Sequence, residues 1–156
     1  LPADYTLFYC VVAAPEGTGQ TLYADGLGAF AALSHADQEQ LKQLHAMRIN
    51  SSAVVRLRRR EEDTRAGIEP LAPAPHEEAQ PMNLVRTHPL TGEKALVVEE
   101  PGFLDWVAGP IAELSKGPDG NGAQLIRRMM AHVTERRFVH VQEWQAGDLI
   151  GTPTSR

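Results

Sequence analysis

The stretch "PEGTGQTLYAD", residues 15–25, decides how this chain is read. It stands between "YTLFYCVVA" (5–13), rich in β-branched and aromatic residues, and a small, apolar, helix-like run over 27–33. Glycines in such a place serve a phosphate cradle, a plain hairpin or an active-site loop. A phosphate loop needs Gly-x-x-x-x-Gly-Lys-Ser/Thr, because the lysine must reach the terminal phosphates, and no lysine is near. A dinucleotide fingerprint needs three glycines that open a helix after a strand. Here Gly17 and Gly19 lead instead into Thr21-Leu22-Tyr23, itself β-prone. With strand-like sequence on both sides of the loop, the reading is a β architecture.

Working outward, residues 5–13 are apolar on both faces, as in a strand buried within a sheet. Ser34 is placed to cap a helix over "HADQEQLKQLHAM" (35–47), where Leu41, Leu44 and Met47 recur at helical spacing. Residues 56–81 differ: "RLRRREEDTRAG" mixes charges and "EPLAPAPHEEAQP" is rich in Pro and Glu, so a flexible insertion is expected there. "MNLVRTHPLTGEKALVV" (82–98) reads as strand, turn, strand, with Pro89 and Gly92 bracketing the turn. A helix is expected from Ala123 to about Glu135, with Leu125, Ile126, Met129, Met130 and Val133 on its buried face. "RFVHVQEW" alternates as a strand, "QAGD" turns, and Leu149-Ile150 begins another. No repeat recurs at a fixed period. The expected fold is mainly β with flanking helices, of the jelly-roll type, in a single domain over 1–156.

Composition narrows the functions. A chain of 156 residues, 42% hydrophobic and 22% charged, suits an ordinary globular core. Fifteen basic against twenty acidic residues give a formal charge of −5, which disfavours a nucleic-acid partner. The single Cys10 supplies neither a disulfide framework nor a multi-thiolate zinc site. No apolar run approaches the roughly 18 residues that span a bilayer, and no signal-peptide pattern opens the chain. A cytoplasmic protein without a membrane partner is expected. The start at Leu1 rather than Met suggests a processed or incomplete product.

Catalytic patterns are sparse. No Gly-x-Ser-x-Gly elbow occurs. Jelly-roll oxygenases hold ferrous iron with a His-x-Asp/Glu pair and a distant His. His35-Ala36-Asp37 has that form, but its place at a helix start favours a structural role. His76-Glu77-Glu78 lies in the Pro-rich stretch, where nothing rigid fixes ligands. His88, His132 and His140 read as turn, helix and strand residues. Arg56, Arg58, Arg59 and Arg60 are followed at once by Glu61, Glu62 and Asp63, which makes a solvated charged face.

Three blocks nevertheless carry a family likeness. "GQTLYADGLGAFAALS" resembles the "GGDTLFAdmyaAyeaLs" segment of the Fe(II)- and 2-oxoglutarate-dependent dioxygenases of the TauD/TfdA family. "LVRTHPLTGEKALVVEEPGFLDWVAG" resembles that family's "vRtHPeTGrkaLyvn..Ft..i.G", and "FVHVQEWQAGDLI" its "FvyrhrWqpGDlv". The resemblance runs from about Tyr5 to Ile150 and is weakest over 56–81. It implies that Thr21 helps hold the 2-oxoglutarate carboxylate, although Gln20 stands where the family has Asp. It also matches Phe103 to a family Phe beside the substrate pocket.

The same resemblance implies that the His-x-Asp pair precedes Leu1, and that the distal His and the Arg pairing with 2-oxoglutarate follow Arg156. "GTPTSR" stands in place of the family's "WDNR". No metal ligand or catalytic residue is therefore assigned within the chain, and it is expected to be inactive by itself. Fe(II) and 2-oxoglutarate are implied by the family but are not expected to bind this chain alone. The expected function is that of a portion of a dioxygenase hydroxylating a small sulfonate- or carboxylate-bearing acid. The alternative is a non-catalytic remnant or interaction module of the same fold, and a homo-oligomer is compatible with either.

Overall fold

The computed structural model describes residues 5–49, 66–67, 79–89, 91–98, 101–105, 109–117 and 119–153. Among them stand strands β1 (Tyr5–Tyr9), β2 (Thr21–Ala24), β3 (His45–Arg48), β4 (Gln80–Asn83), β5 (Val85–Thr87), β6 (Lys94–Leu96), β7 (Val139–Gln142) and β8 (Leu149–Pro153). The helices are α1 (Gly26–Ala31), α2 (His35–Leu41) and α3 (Asn121–Val133), with 3-10 turns at Pro101–Phe103 and Arg136–Phe138. The strands form four two-stranded pairs: β1 with β8, β2 with β7, β3 with β4, and β5 with β6. The mainly β expectation with helices beside it holds at this level.

The chain divides into two compact units, the first made of Leu1–Leu33, Arg86–Leu96 and Ala131–Arg156. In it β1 runs antiparallel to β8, with Leu7 opposite Gly151, and β2 runs antiparallel to β7, with Thr21 opposite Gln142. The loop 15–20 thus joins strands of two different pairs, and the hairpin reading of the opening stretch is set aside. Asp25 caps α1: its carboxylate accepts from the amides of Leu27 and Gly28 at 3.0 Å each. Gly26 opens that helix because a Cβ there would lie 2.5 Å from the Leu96 carbonyl oxygen. Among the described residues of this unit, Ala29, Phe30, Leu96, Val133 and Phe138 are the buried apolar ones.

The expectation that residues 5–13 are buried is corrected. Leu7 is 68% exposed, Val11 74% and Val12 83%, and Phe8, Tyr9 and Leu149 are exposed as well. Successive residues of a strand face opposite ways, so exposure at Leu7, Phe8 and Tyr9 leaves both faces of the β1/β8 ribbon without cover from the described residues.

The second unit comprises Ser34–Val85 and Val97–Met130. Ser34 caps α2 as expected, its hydroxyl accepting from the Asp37 amide at 3.1 Å. The helix then ends at Leu41 rather than continuing to Met47. Residues 45–48 form β3, antiparallel to β4, with Ala46 opposite Met82. The other edge of β3 is bridged at Ala46 to Ile111 and at Arg48 to Leu104. Pairing on both edges gives the backbone groups of residues 45–48 the partners that continuing the helix would otherwise supply. β4 also begins at Gln80, inside the stretch expected to be loop; nearly all the rest of 56–81, with Arg56 to Arg60, His76 and Glu78, lies outside the described residues. Leu41, Leu44, Ala46, Ile49, Leu84, Leu104, Ile111, Ala123, Leu125, Ile126 and Met129 are buried. The expected strand-turn-strand over 82–98 appears as β5 and β6, which apart from Val85 belong to the first unit. The expected helix near 123–135 appears as α3, begun by the Ser115 hydroxyl, which accepts from the Asn121 amide at 2.8 Å.

Candidate functional site

Thr21 begins β2, and the strand alternates as its sequence requires: Thr21 and Tyr23 are half-buried on one face, Leu22 and Ala24 exposed on the other. The loop before it is a tight turn. The Thr18 amide and hydroxyl both donate to the Pro15 carbonyl, at 3.0 and 2.7 Å. Gly19 has φ +68°, and a Cβ on it would fall 2.6 Å from that of Ala14. Gln20, where the family has Asp, donates from Nε2 to Glu143 Oε1 at 2.9 Å.

The partner strand supplies the next piece. Beyond β7, the indole Nε1–H of Trp144 donates to Thr21 Oγ1 at 2.9 Å. The turn that follows is tied by Asp148, whose Oδ2 accepts from the Gln145 amide at 2.9 Å and from Gln142 Nε2 at 3.1 Å. Gly147, with φ +98°, allows the chain to reverse. Its amide donates to the Cys10 carbonyl at 2.9 Å, and the Cys10 amide donates to the Asp148 carbonyl at 2.9 Å. Two strand pairs are thereby joined at the turn beside Thr21.

A threonine hydroxyl offers one proton and two lone pairs. Trp144 fills one lone pair, so the Thr21 proton stays available to an acceptor such as a carboxylate. On the same face of β2, the buried Tyr23 hydroxyl has no hydrogen-bond partner among the described residues. A buried polar atom left so costs about 1–3 kcal/mol. Trp144, Asp148 and Tyr23 were not singled out from sequence; the block "FVHVQEWQAGDLI" was the signal that held the first two.

A ferrous ion is not matched in the same way. Among the described residues no group of three His, Cys, Asp or Glu side chains could hold a metal. His35 points its ring towards Glu39, at 3.8 Å. Asp37 accepts from the Ser34 hydroxyl at 2.7 Å and from Arg128 at 2.9 Å. His88 accepts the Thr91 amide in its turn at 3.2 Å. His132, on α3, contacts the Ala29 carbonyl and Glu135, both at 2.9 Å. His140, on β7, is exposed beside Gln142 at 3.3 Å. Phe103, in the second unit, is half-buried, and its carbonyl accepts from the Ile49 amide at 2.8 Å.

One close pair was missed by the sequence reading. His45 Nδ1 lies 2.6 Å from Glu113 Oε1, and the His45 amide donates to Glu113 Oε2 at 3.0 Å. Burial acts most on the Glu113 carboxyl and pushes it up, but the hydrogen bonds from the His45 amide and ring, with smaller help from its own backbone amide and the His45 charge, outweigh it. The net result is a carboxyl held below its ordinary value.

The fold is similar to that of a solved structure from Burkholderia xenovorans, described as a putative alpha-ketoglutarate-dependent taurine dioxygenase, with a TM-score of 0.70. That match has 24% identity and covers 97% of this chain and 44% of the other. The sequence places the chain more closely. The pattern described as "Taurine catabolism dioxygenase TauD, TfdA family" matches residues 1–151, and the chain belongs to that family. It is 30% identical over 153 residues to the alpha-ketoglutarate-dependent 2,4-dichlorophenoxyacetate dioxygenase of Cupriavidus pinatubonensis, covering 95% of this chain and 46% of that protein. It is 37% identical over 97 residues to an alpha-ketoglutarate-dependent sulfonate dioxygenase of Saccharomyces cerevisiae, covering 62% of this chain and 21% of that protein. The chain therefore spans less than half the length of these relatives.

Proposed function

We propose that these residues form the part of an Fe(II)- and 2-oxoglutarate-dependent dioxygenase that receives the cosubstrate's carboxylate, with the iron ligands supplied by protein outside the 156 residues. The observation that carries this reading is the Thr21 hydroxyl, held by Trp144 and left with a proton to give. In this account the chain's share of the chemistry is binding and orientation: Thr21 fixes one end of 2-oxoglutarate, and Gly17 and Gly19 let backbone pass close to it. The relatives' names favour a small sulfonate- or carboxylate-bearing acid as the substrate. Phe103 is the residue proposed to line its pocket. The jelly roll is completed by the same additional protein, in the cytoplasm.

Anaerobic titration with Fe(II) and 2-oxoglutarate tests the reading. The chain alone is expected to give no charge-transfer band, and the chain joined to the flanking segments of the 2,4-dichlorophenoxyacetate dioxygenase is expected to give one. A band from the chain alone that disappears in His76→Ala would place the iron in the 56–81 stretch and overturn the assignment. A joined protein that folds but never develops the band would favour the non-catalytic reading.

A further inference from the structure

We propose that Trp144 is a positioning residue that aims the Thr21 proton at the carboxylate, an inference that rests on the reading of Thr21 just given. A threonine hydroxyl turns about its C–O bond unless a partner restrains it, whereas an indole N–H can only donate. The direction of the 2.9 Å contact between them follows: Trp144 gives, Thr21 accepts. Rotor positions that carry the proton towards the indole are shut out, and the proton is presented away from it. Accepting a bond also polarises the hydroxyl and makes it a better donor.

The backbone that carries the indole is itself held in place. Gln142 Nε2 donates to the Glu143 carbonyl at 2.9 Å and to Asp148 at 3.1 Å, and the Gln145 amide reaches the same Asp148 oxygen. Trp144 therefore sits inside a turn fixed on both sides, and that turn is pinned to Cys10 by two backbone bonds. A donor supported by such a shell holds its geometry without the ligand. Trp144 touches neither iron nor substrate in this account; it acts through Thr21.

The test uses the full chain labelled with nitrogen-15, in which Trp106 and Trp144 are the two indoles. Trp144→Phe assigns the Trp144 resonance by its loss. Thr21→Val should move that resonance and speed its exchange with solvent, and Thr21→Ser should restore both. 2-Oxoglutarate is then titrated, with Fe(II) and without oxygen, into the chain joined to the flanking segments of the 2,4-dichlorophenoxyacetate dioxygenase, and its affinity is read from the charge-transfer band. The unsubstituted joined protein should bind, Thr21→Val should lose roughly ten- to hundredfold in affinity, and Trp144→Phe roughly three- to tenfold. The double variant should behave as Thr21→Val alone, because both substitutions remove one interaction. A Trp144→Phe affinity equal to that of the unsubstituted joined protein would overturn the positioning role and leave the Thr21 reading standing. A Thr21→Val affinity equal to that of the unsubstituted joined protein, or no binding by the latter, would overturn the Thr21 reading and the positioning role with it.

Discussion

Single side chains decide what this protein can hold. The Glu113 carboxyl, bound by the amide and ring of His45, takes up its proton less readily in the fold than in the unfolded chain. Its contribution to stability is therefore fully present above the ordinary glutamate range, and it is lost as the pH falls through the lowered value. Both side chains are more than a third exposed, so solvent screens the pair and the effect is small. Urea midpoints followed into acid should fall less steeply for Glu113→Gln than for the unsubstituted chain, and equal slopes would show that the pair does not couple to folding. Thr21 was legible in the sequence as a resemblance, from the block around "GQTLYA". Its bond to Trp144 was not, because 123 positions separate the two residues and only the β2/β7 register brings them together. The same reason hid His45 and Glu113, 68 positions apart.

Local chemistry accounts for where the elements begin. Ser34 was readable as a cap because a hydroxyl before an apolar-periodic run satisfies an amide that the helix cannot. Ser34→Ala should cost about 1 kcal/mol, read from the denaturation midpoint, with Ser34→Asp recovering most of it. Gly26→Ala should cost more, about 1–3 kcal/mol, because the new methyl meets the Leu96 carbonyl and not a yielding side chain. An unchanged midpoint for that variant would mean that α1 does not lie against β6. The end of α2 was not legible. Leu41, Leu44 and Met47 have helical spacing, yet Leu41 and Leu44 are buried in the structure whether or not the helix continues. What ends it is the pairing of His45–Arg48 with Gln80–Asn83, a partner more than thirty residues away in the chain. Strand 5–9 was legible as a strand but not in its burial, since two apolar faces state only that cover is needed.

The whole molecule carries that need on its surface. Leu7, Phe8, Tyr9, Val11, Val12 and Leu149 form an exposed apolar tract around the β1/β8 ribbon, and tracts of this kind drive association. The isolated chain should self-associate and bind an apolar dye. Leu7→Thr with Val12→Thr should reduce both, as read by light scattering and dye fluorescence, whereas a monomer with a cooperative melt and no dye binding would contradict this. The family was legible from three sequence blocks because each is a continuous run of residues; the division into two units was not, since it depends on contacts between distant segments. The central claim is that Thr21 donates to the cosubstrate carboxylate, and the most direct measurement is 2-oxoglutarate affinity in the chain joined to the flanking segments of an active relative. Thr21→Val keeps the shape and removes the donor, so affinity should fall roughly ten- to hundredfold, the equivalent of about 1.5–3 kcal/mol, with iron affinity nearly unchanged. Undiminished 2-oxoglutarate binding together with a lowered melting temperature would contradict the claim and make Thr21 an ordinary strand residue.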